Sequence, residues 1–261
     1  MERRKGDLIK KILVGVLLTL VASFIMSSTG YAYEETDVKD GGQIIGQVKF
    51  TGAPPKLSPI KVNKNEDVCG KTKPSEAIIV NKDGGVRFAV AYLEAIEKGK
   101  KIEMTKQTDL NQKDCLFGPH VFSMVKGAEL ATINSDPILH NANMDVEGRQ
   151  MFNFGQPKQN QVIVKRVRKT GQVDITCDSH THMRSYGMVF EHPYHAVSDG
   201  TGTFKIDNIP PGKYTLKLWH ESWKVKGQDD DGRPIYDKPV LLTKEVTVPA
   251  KGSVNINFEL K

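Results

Sequence analysis

Short stretches in which apolar and polar residues alternate recur along most of the chain. Ile44–Phe50, Val173–Cys177 and Val254–Phe258 show the alternation, and Gly, Pro and Asp residues separate such stretches. A period of two places successive side chains on opposite faces of a β-strand. The segment Val86–Ile96 fits both a helical stripe and a strand, and we favour the strand. The pattern predicts an all-β protein built as a sandwich or a barrel.

The first 32 residues differ from the rest. Five basic residues precede an apolar run, Ile12–Met26, and small residues precede Tyr33. This order is typical of a secretory signal, and the run is shorter than the roughly 20 apolar residues of a membrane span. An uncleaved anchor is the alternative. We predict a signal peptide over 1–32, a periplasmic or extracellular location across the inner membrane, and no membrane span after cleavage.

The charge balance excludes one class of partner. The chain has 37 Lys and Arg against 31 Asp and Glu, a net charge of +6, and removing residues 1–32 lowers this to +3. So small an excess does not predict a nucleic-acid surface. Basic clusters at Lys98–Lys101 and Lys165–Lys169 fit either a solubilising face or electrostatic docking of an acidic redox partner.

Two segments carry the residues with metal-binding chemistry. An alternating strand ends in Cys177, with His180 in the following turn and Met183 after it. Upstream, His140 follows Asp136 at the end of another apolar run. Thiolate and thioether suit Cu(I), and imidazole suits copper in both oxidation states. The combination predicts a mononuclear copper site.

At these residues the sequence resembles a family, the exported plastocyanin-like cupredoxins joined to a carboxypeptidase regulatory-like module. The resemblance runs from about Gly42 to the end of the chain, and the segments that carry it are Cys115–Val121, Asp136–Asn141, Arg149–Asn153, Cys177–Met183, His192–Tyr194 and Trp219–Glu221. It implies a Greek-key β-sandwich with type-1 copper held by His140, Cys177 and His180 and a weak axial Met183. It also implies single-electron transfer to or from a partner such as a cytochrome, without enzymatic turnover.

The C-terminal part has its own signature. An Asp-Gly turn within Ser198–Ile206 and the Pro-Pro-Gly-Lys-Tyr run within Ile209–Leu216 resemble the carboxypeptidase regulatory-like (transthyretin-like) β-sandwich. The early strand over 43–52 resembles the opening strand of that family. We therefore predict a signal peptide over 1–32, a cupredoxin-like domain over 33–194 and a smaller β-sandwich over 195–261. The alternative is that strand 43–52 is shared with the smaller sandwich, with the middle domain inserted into it.

Two residues leave the ligand set open. The family usually has an aromatic residue, commonly Trp, directly before the axial Met, but here that position is His182. We expect His182 to replace Trp and to face solvent, and the alternative is that it joins the copper as a further nitrogen ligand. Met188 is a second axial candidate, with a core methionine as the alternative.

The other cysteines and histidines favour structural roles. Once Cys177 is assigned, Cys69 and Cys115 remain, and in an oxidising compartment we expect them to form a disulfide. Closing that loop would stabilise the fold by about 4 kcal/mol in the chain-entropy model. The alternative is a second metal site with Cys115 and His120. We expect the other histidines to be structural or exposed, and Asp229–Gly232 to be a solvated turn, because it lacks the spacing of an EF-hand loop.

Two classes of function remain. In an electron-transfer protein, we expect His180 at the surface end of the site, with its ring edge as the exit for the electron. In a structural or interaction module of the cell envelope, the cupredoxin domain would be metal-free or would only hold copper. We do not predict an enzyme, because the sequence contains no set of nucleophile and base and no phosphate-binding Gly loop.

Overall fold

The computed structural model describes residues 33–104 and 107–261, so the predicted signal segment 1–32 lies outside the described residues. One short helix, α1, spans Glu66–Cys69. The strands, in chain order, are β1 (Glu34–Glu35), β2 (Gly42–Phe50), β3 (Ile60–Lys61), β4 (Thr72–Lys73), β5 (Ile79–Val80), β6 (Val86–Arg87), β7 (Val90–Leu93), β8 (Lys98–Gly99), β9 (Thr108–Lys113), β10 (Leu116–Gly118), β11 (Val121–Val125), β12 (Glu129–Asn134), β13 (His140–Val146), β14 (Arg149–Gln156), β15 (Gln161–Arg166), β16 (Gly171–Thr176), β17 (Arg184–Phe190), β18 (His195–Val197), β19 (Thr203–Ile209), β20 (Gly212–His220), β21 (Val225–Gln228), β22 (Pro234–Tyr236), β23 (Val240–Val248) and β24 (Ser253–Leu260). The all-β prediction is confirmed, and the ambiguous segment Val86–Ile96 contains two strands.

The first sandwich is built from the middle of the chain. Its two sheets have the orders β10-β9-β12-β15 and β11-β17-β16-β13-β14. Strands β12 and β9 pair in parallel, as do β11 and β17, whereas β16 pairs antiparallel with both of its neighbours. Alternation in β16 buries Val173 and Ile175 in the core between the sheets. The same core contains Cys177 and Met183.

The second sandwich has sheets of the orders β18-β7-β20-β23 and β19-β2-β24. Strand β2 shows the alternation in full, because Gly42, Ile44, Gly46 and Val48 are buried and the residues between them are not. Gly46 is required by close packing, since a Cβ atom there would lie 2.1 Å from Cζ of Phe204. Apolar burial from both sheets gives this sandwich a core of its own.

The sheets divide the chain differently from the predicted range 33–194. Strand β2 lies between β19 and β24, and it pairs in parallel with β24 from Gln43 opposite Ser253 to Phe50 opposite Leu260. Strand β7 lies between β18 and β20. Both strands precede the first sandwich in the sequence but complete the second, because strand pairing follows the buried faces rather than chain order. The first sandwich is thus an insertion into the second.

The two sandwiches share buried contacts within one compact unit, residues 33–261. An apolar cluster joins Val121 and Tyr186 of the first sandwich to Val90 and Trp219 of the second. The Trp219 indole Nε1–H also donates to Gln172 Oε1 at 3.0 Å. These contacts join strands of the first sandwich to strands of the second. In the part of the chain that the structure describes, no helix is long and apolar enough to cross a membrane.

Candidate metal centre

Two strand ends of one sheet position the candidate ligands. His140 is the first residue of β13, and Cys177 follows the last residue of β16. Because β13 and β16 pair, the loop from Cys177 to Met183 lies beside the start of β13. Two backbone hydrogen bonds close this loop: Cys177 N–H donates to the Met183 carbonyl at 3.4 Å, and Met183 N–H donates to the His180 carbonyl at 3.0 Å.

The three strongest predicted ligands converge at one buried point. The Nδ1 atoms of His140 and His180 are 3.1 Å apart, and Cys177 Sγ is 3.7 Å from His180 Nδ1. All three side chains have 0% exposure. One ligand atom from each lies within 4.8 Å of the others. The spacing prediction and the geometry therefore select the same residues.

The proton positions indicate that a cation fits between the histidines. His140 Nε2–H donates to Asp136 Oδ2 at 2.9 Å, and His180 Nε2–H donates to Asn65 Oδ1 at 3.0 Å. Since both acceptors are oxygens, each ring carries its proton on Nε2 and presents the lone pair of Nδ1. Two lone pairs and a thiol that face each other in a buried site suit a metal ion with nitrogen and sulfur preference, and copper is such an ion.

The electrostatics keep the imidazoles neutral, as ligands must be. Burial lowers the pKa of His140, although the Asp136 carboxylate opposes the shift. Burial also lowers the pKa of His180 to about 4, with further contributions from His140 and His182. Burial raises the pKa of the Cys177 thiol. The imidazoles are therefore neutral and able to bind, and a metal would displace the thiol proton into the solvent.

Backbone and amide groups hold the thiol in place. Asn141 N–H points at Cys177 Sγ with a distance of 3.4 Å. The Asn141 side-chain amide donates to Asn153 Oδ1 and to Asp178 Oδ2, each at 2.8 Å. Asparagines from β13 and β14 therefore fix the residue after Cys177, and the sulfur has little freedom to move.

The two methionine candidates lie in different places. Met183 is fully buried in the same core as Cys177. Met188 lies in the cluster between the sandwiches, with Tyr186 and Trp219, because alternate residues of β17 face opposite sides of the sheet. The structure therefore keeps Met183 on the side of the candidate site and assigns Met188 to packing.

His182 does not face solvent, and that expectation is wrong. Its side chain is only 5% exposed, and its Nε2–H donates to the Cys115 carbonyl at 3.1 Å. The tight loop turns the ring inward, with its centroid 5.9 Å from that of His180. Burial lowers the pKa of His182 to about 4. Its Nδ1 atom makes no hydrogen bond to any described residue.

The expectation that His180 lies at the surface is also wrong. The residue that covers it, Asn65, precedes α1 and has a left-handed backbone conformation, φ 56° and ψ 45°, which Asn tolerates. Neighbouring Asn63 accepts the Thr181 N–H at 3.1 Å. The segment that contains these two asparagines therefore covers the outer edge of the His180 ring.

The predicted disulfide is confirmed, and it anchors that covering segment. Cys69, the last residue of α1, is bonded to Cys115, with their Cα atoms 5.4 Å apart. His120, the other member of the alternative metal site, hydrogen-bonds through Nε2 to Glu221. The pair Cys115 and His120 therefore does not form a metal site. The cysteines were the signal that could have directed attention to the segment around Asn65.

A residue of the second sandwich also contacts the ligand loop. Arg233 donates from Nη2 to the Cys177 carbonyl at 3.2 Å and from Nη1 to the Thr181 carbonyl at 3.3 Å. It belongs to the connection between β21 and β22 and follows the predicted turn Asp229–Gly232, which is exposed. No sequence pattern singled out Arg233.

The remaining histidines have structural contacts, as predicted. His192 and His220 are buried, and His195 Nδ1 lies 2.8 Å from Ser123 Oγ. Their positions at the ends of β17, β18 and β20 place them in the second sandwich or at its boundary with the first. None of them reaches the candidate ligands.

Comparisons with known proteins give low similarity. The chain matches no family model and no curated protein. Among solved structures, it is similar to amicyanin from Paracoccus versutus, with 15% identity over 33% of this chain and 82% of that chain and a TM-score of 0.30. It is similar to a purple cupredoxin from Nitrosopumilus maritimus, with 16% identity. That match covers 32% of this chain and 99% of that chain, with a TM-score of 0.28. It is also similar to a copper-containing nitrite reductase from Thermus scotoductus SA-01, with 18% identity. That match covers 39% of this chain and 25% of the reductase chain, with a TM-score of 0.30.

The geometry of this chain defines the candidate site. Two packed sheets, a histidine at the start of one strand and a Cys-x-x-His loop at the end of its neighbour are all in place. The described chain is an all-β protein of two sandwiches, and one of them holds His140, Cys177 and His180 at adjoining strand ends.

Proposed function

We propose that this chain is an exported mononuclear copper protein that carries single electrons to or from a redox partner such as a cytochrome. The observation that supports this function is the meeting of one thiol and two Nδ1 lone pairs in a buried site. Copper bound there would supply a reversible one-electron change. His140, Cys177 and His180 would hold it, with Met183 as a weaker fourth ligand.

The surroundings of the ligands favour fast electron transfer. Asp136 fixes the far nitrogen of His140, Asn65 fixes that of His180, and Asn141 holds the sulfur. Outer contacts of this kind set ligand orientation and tune a metal site. A site that cannot change shape has little to reorganise when its charge changes, so the same scaffold serves both oxidation states.

The location and the partner belong to the proposal as well. The predicted signal segment and the Cys69–Cys115 disulfide both favour an oxidising compartment outside the inner membrane. In this proposal no substrate is transformed. The basic cluster Lys165–Lys169 borders the first sandwich, with the Lys165 ammonium 5.7 Å from the centroid of the Phe154 ring, and it offers a face to an acidic partner.

The test is spectroscopic. The chain from Tyr33 onward is loaded with one equivalent of Cu(II), beside the C177S variant, and visible and electron paramagnetic resonance spectra are recorded. We expect an intense thiolate-to-copper charge-transfer band that a reductant bleaches and that C177S lacks. A folded wild-type protein that binds no copper would contradict the proposal.

One observation favours a second candidate, a copper-holding protein. His180 has 0% exposure and its outer nitrogen is engaged by Asn65, so a partner cannot touch the ring edge directly. A copper-holding protein would bind copper tightly but would exchange electrons slowly with any external reductant. Stopped-flow reduction of the copper-loaded protein by small complexes distinguishes the two functions.

A further inference from the structure

A second group of metal-ligating side chains lies on the far side of His140. Cys115, Asp136 and His140 each offer one ligand atom, and these atoms lie within 4.8 Å of one another. All three residues are buried. The group shares only His140 with the candidate copper site, and it needs neither Cys177 nor His180.

The two nitrogens of His140 serve different groups. Its Nδ1 faces His180 Nδ1 at 3.1 Å, and its Nε2 lies 2.9 Å from Asp136 Oδ2. The same carboxylate oxygen accepts the backbone N–H of Cys115 at 2.8 Å, so the carboxylate is positioned between the histidine and the cysteine. Three potential donors therefore lie within 4.8 Å of one another, and two of them, Cys115 and Asp136, are not candidate copper ligands.

In the structure, this group has no free thiol, because Cys115 is bonded to Cys69. A dithiol changes that: it gives two electrons to the disulfide and becomes a disulfide itself. The S–S bond between Cys69 and Cys115 breaks, and two protons complete two thiols. A metal ion then displaces the proton of the Cys115 thiol, and the thiolate becomes its ligand.

We propose that reduction of the Cys69–Cys115 disulfide creates a second metal site at Cys115, Asp136 and His140 for a divalent cation of the zinc class. One thiolate, one imidazole and one carboxylate are the ligand types that Zn²⁺ takes in proteins, and three protein ligands leave one position open. The thiolate and the carboxylate together balance the charge of a divalent ion. The site does not depend on copper at Cys177.

The number of metal sites in the chain then depends on whether the Cys69–Cys115 disulfide is closed or open. With the disulfide closed, the chain has one thiol-containing site, and with the disulfide open it has two. Because His140 belongs to both groups, binding at one site should change the affinity of the other.

A matched pair of variants tests the new site with Co(II) as the probe. C69S/C177S and C115S/C177S each lack the disulfide and each retain a single thiol. We expect a thiolate-to-cobalt charge-transfer band in C69S/C177S, where Cys115 is the thiol, and none in C115S/C177S. Circular dichroism checks that both variants are folded. Adding D136N to C69S/C177S should weaken cobalt binding by at least about ten-fold.

A second measurement leaves Cys69 and Cys115 unchanged. C177S has no free thiol until a phosphine reductant opens the disulfide, so the cobalt band should appear only after reduction. A folded C69S/C177S chain without the band, or equal bands in the matched pair, overturns the proposal, as does a reduced C177S chain that gives no band. All these chains lack Cys177, so their outcome is independent of the copper function.

Discussion

At the scale of single residues, the two candidate imidazoles differ in what holds them. The far nitrogen of His140 meets a carboxylate, Asp136, whereas that of His180 meets a neutral amide, Asn65. A carboxylate increases the basicity of the imidazole it contacts and fixes its tautomer. The amide fixes the tautomer without adding charge. His140 is therefore the more basic of the two candidate ligands, and the surroundings of His180 are easier to change.

Substitution of the carboxylate should weaken metal binding. We expect D136N to lower the Cu(II) affinity by about 10- to 100-fold, because the amide is a weaker acceptor for His140 Nε2–H and orients the ring less well. Competition with a chelator of known affinity measures the change. D109N, which changes an exposed carboxylate of the same sandwich, should leave the affinity unaltered. Equal affinities of D136N and the wild type would show that Asp136 does not support the ligand.

Removing the amide that covers His180 should expose its ring. We expect N65A to accelerate electron exchange of the copper-loaded protein with small redox complexes, because the ring edge becomes reachable. N63A is the matched control, since Asn63 contacts the Thr181 backbone and not the ring. Stopped-flow rates compare the three proteins. An N65A rate that matches the N63A rate would mean that electrons do not pass through this edge.

The sequence predicted the candidate ligands but not the residues around them. His140, Cys177, His180 and Met183 stand in recognisable local spacings, whereas Asn65 reaches His180 from 115 residues away. Arg233 reaches Cys177 from 56 residues away. Such contacts leave no periodicity in the chain, because they depend on how separate elements pack. The inward turn of His182 was missed for the same reason.

At the scale of elements, the hairpin β21–β22 connects the second sandwich to the ligand loop. The Asp229 carboxylate accepts the Arg233 backbone N–H at 2.8 Å, and this turn presents the guanidinium to the Cys177 and Thr181 carbonyls. Burial lowers the pKa of Arg233, and the group stays charged because its ordinary pKa is far above neutral. A short hairpin thus brings a positive charge to the side of the ligand loop.

That charge should influence the copper potential. We expect R233Q to lower the reduction potential, because a nearby positive charge favours the state that has gained an electron. R233K retains the charge and should lie closer to the wild type, although it loses the two-point contact of the guanidinium. Protein-film voltammetry gives the three potentials. A potential that rises in R233Q would contradict this account.

Elements also show how far the sequence predicted the fold. Alternation identified the strands, including β2 and β16, since it reports which residues are buried. It did not report which strands pair, and β7 was therefore assigned to the wrong sandwich. A strand buried on both sides fits several neighbours equally well by pattern alone, and only packing selects among them.

At the scale of the whole molecule, a buried ion pair joins the two sandwiches. His120 lies just before β11, and its Nε2 contacts the carboxylate of Glu221, just after β20. The Glu76 carboxylate lies 3.7 Å from His120 Nδ1, and the Arg184 carbonyl lies 3.2 Å from it. Burial alone would lower the pKa of His120, but Glu221 and these neighbours outweigh it, and the pKa is raised.

The ion pair should make stability depend on pH. A raised pKa in the folded state means that its stabilisation is complete below the unfolded value, about 6.5, and is lost as the pH rises through the folded value. We therefore expect the wild-type free energy of unfolding to fall above about pH 6.5. E221Q should remove this dependence and cost about 3 kcal/mol at pH 6. Urea titrations over a pH series measure both effects.

The control for this prediction is a surface pair. Lys126 Nζ lies 2.8 Å from Glu191 Oε1, and both side chains are largely exposed. E191Q should therefore lower the free energy of unfolding by less than about 1 kcal/mol throughout the same pH series. An E221Q chain that retains the wild-type pH profile would show that another group titrates in this range.

The parallel pairing of β2 with β24 sets the order in which the protein can be completed. Gln43 and Ser253 hydrogen-bond across 210 residues, and the whole first sandwich lies between them in the chain. Synthesis produces β2 long before β24, so one edge of β2 stays unpaired until the C-terminal strand is in place. Open strand edges favour aggregation. We therefore expect chains that stop short of Ser253 to aggregate more than the full-length chain, and light scattering of the two purified proteins would measure the difference.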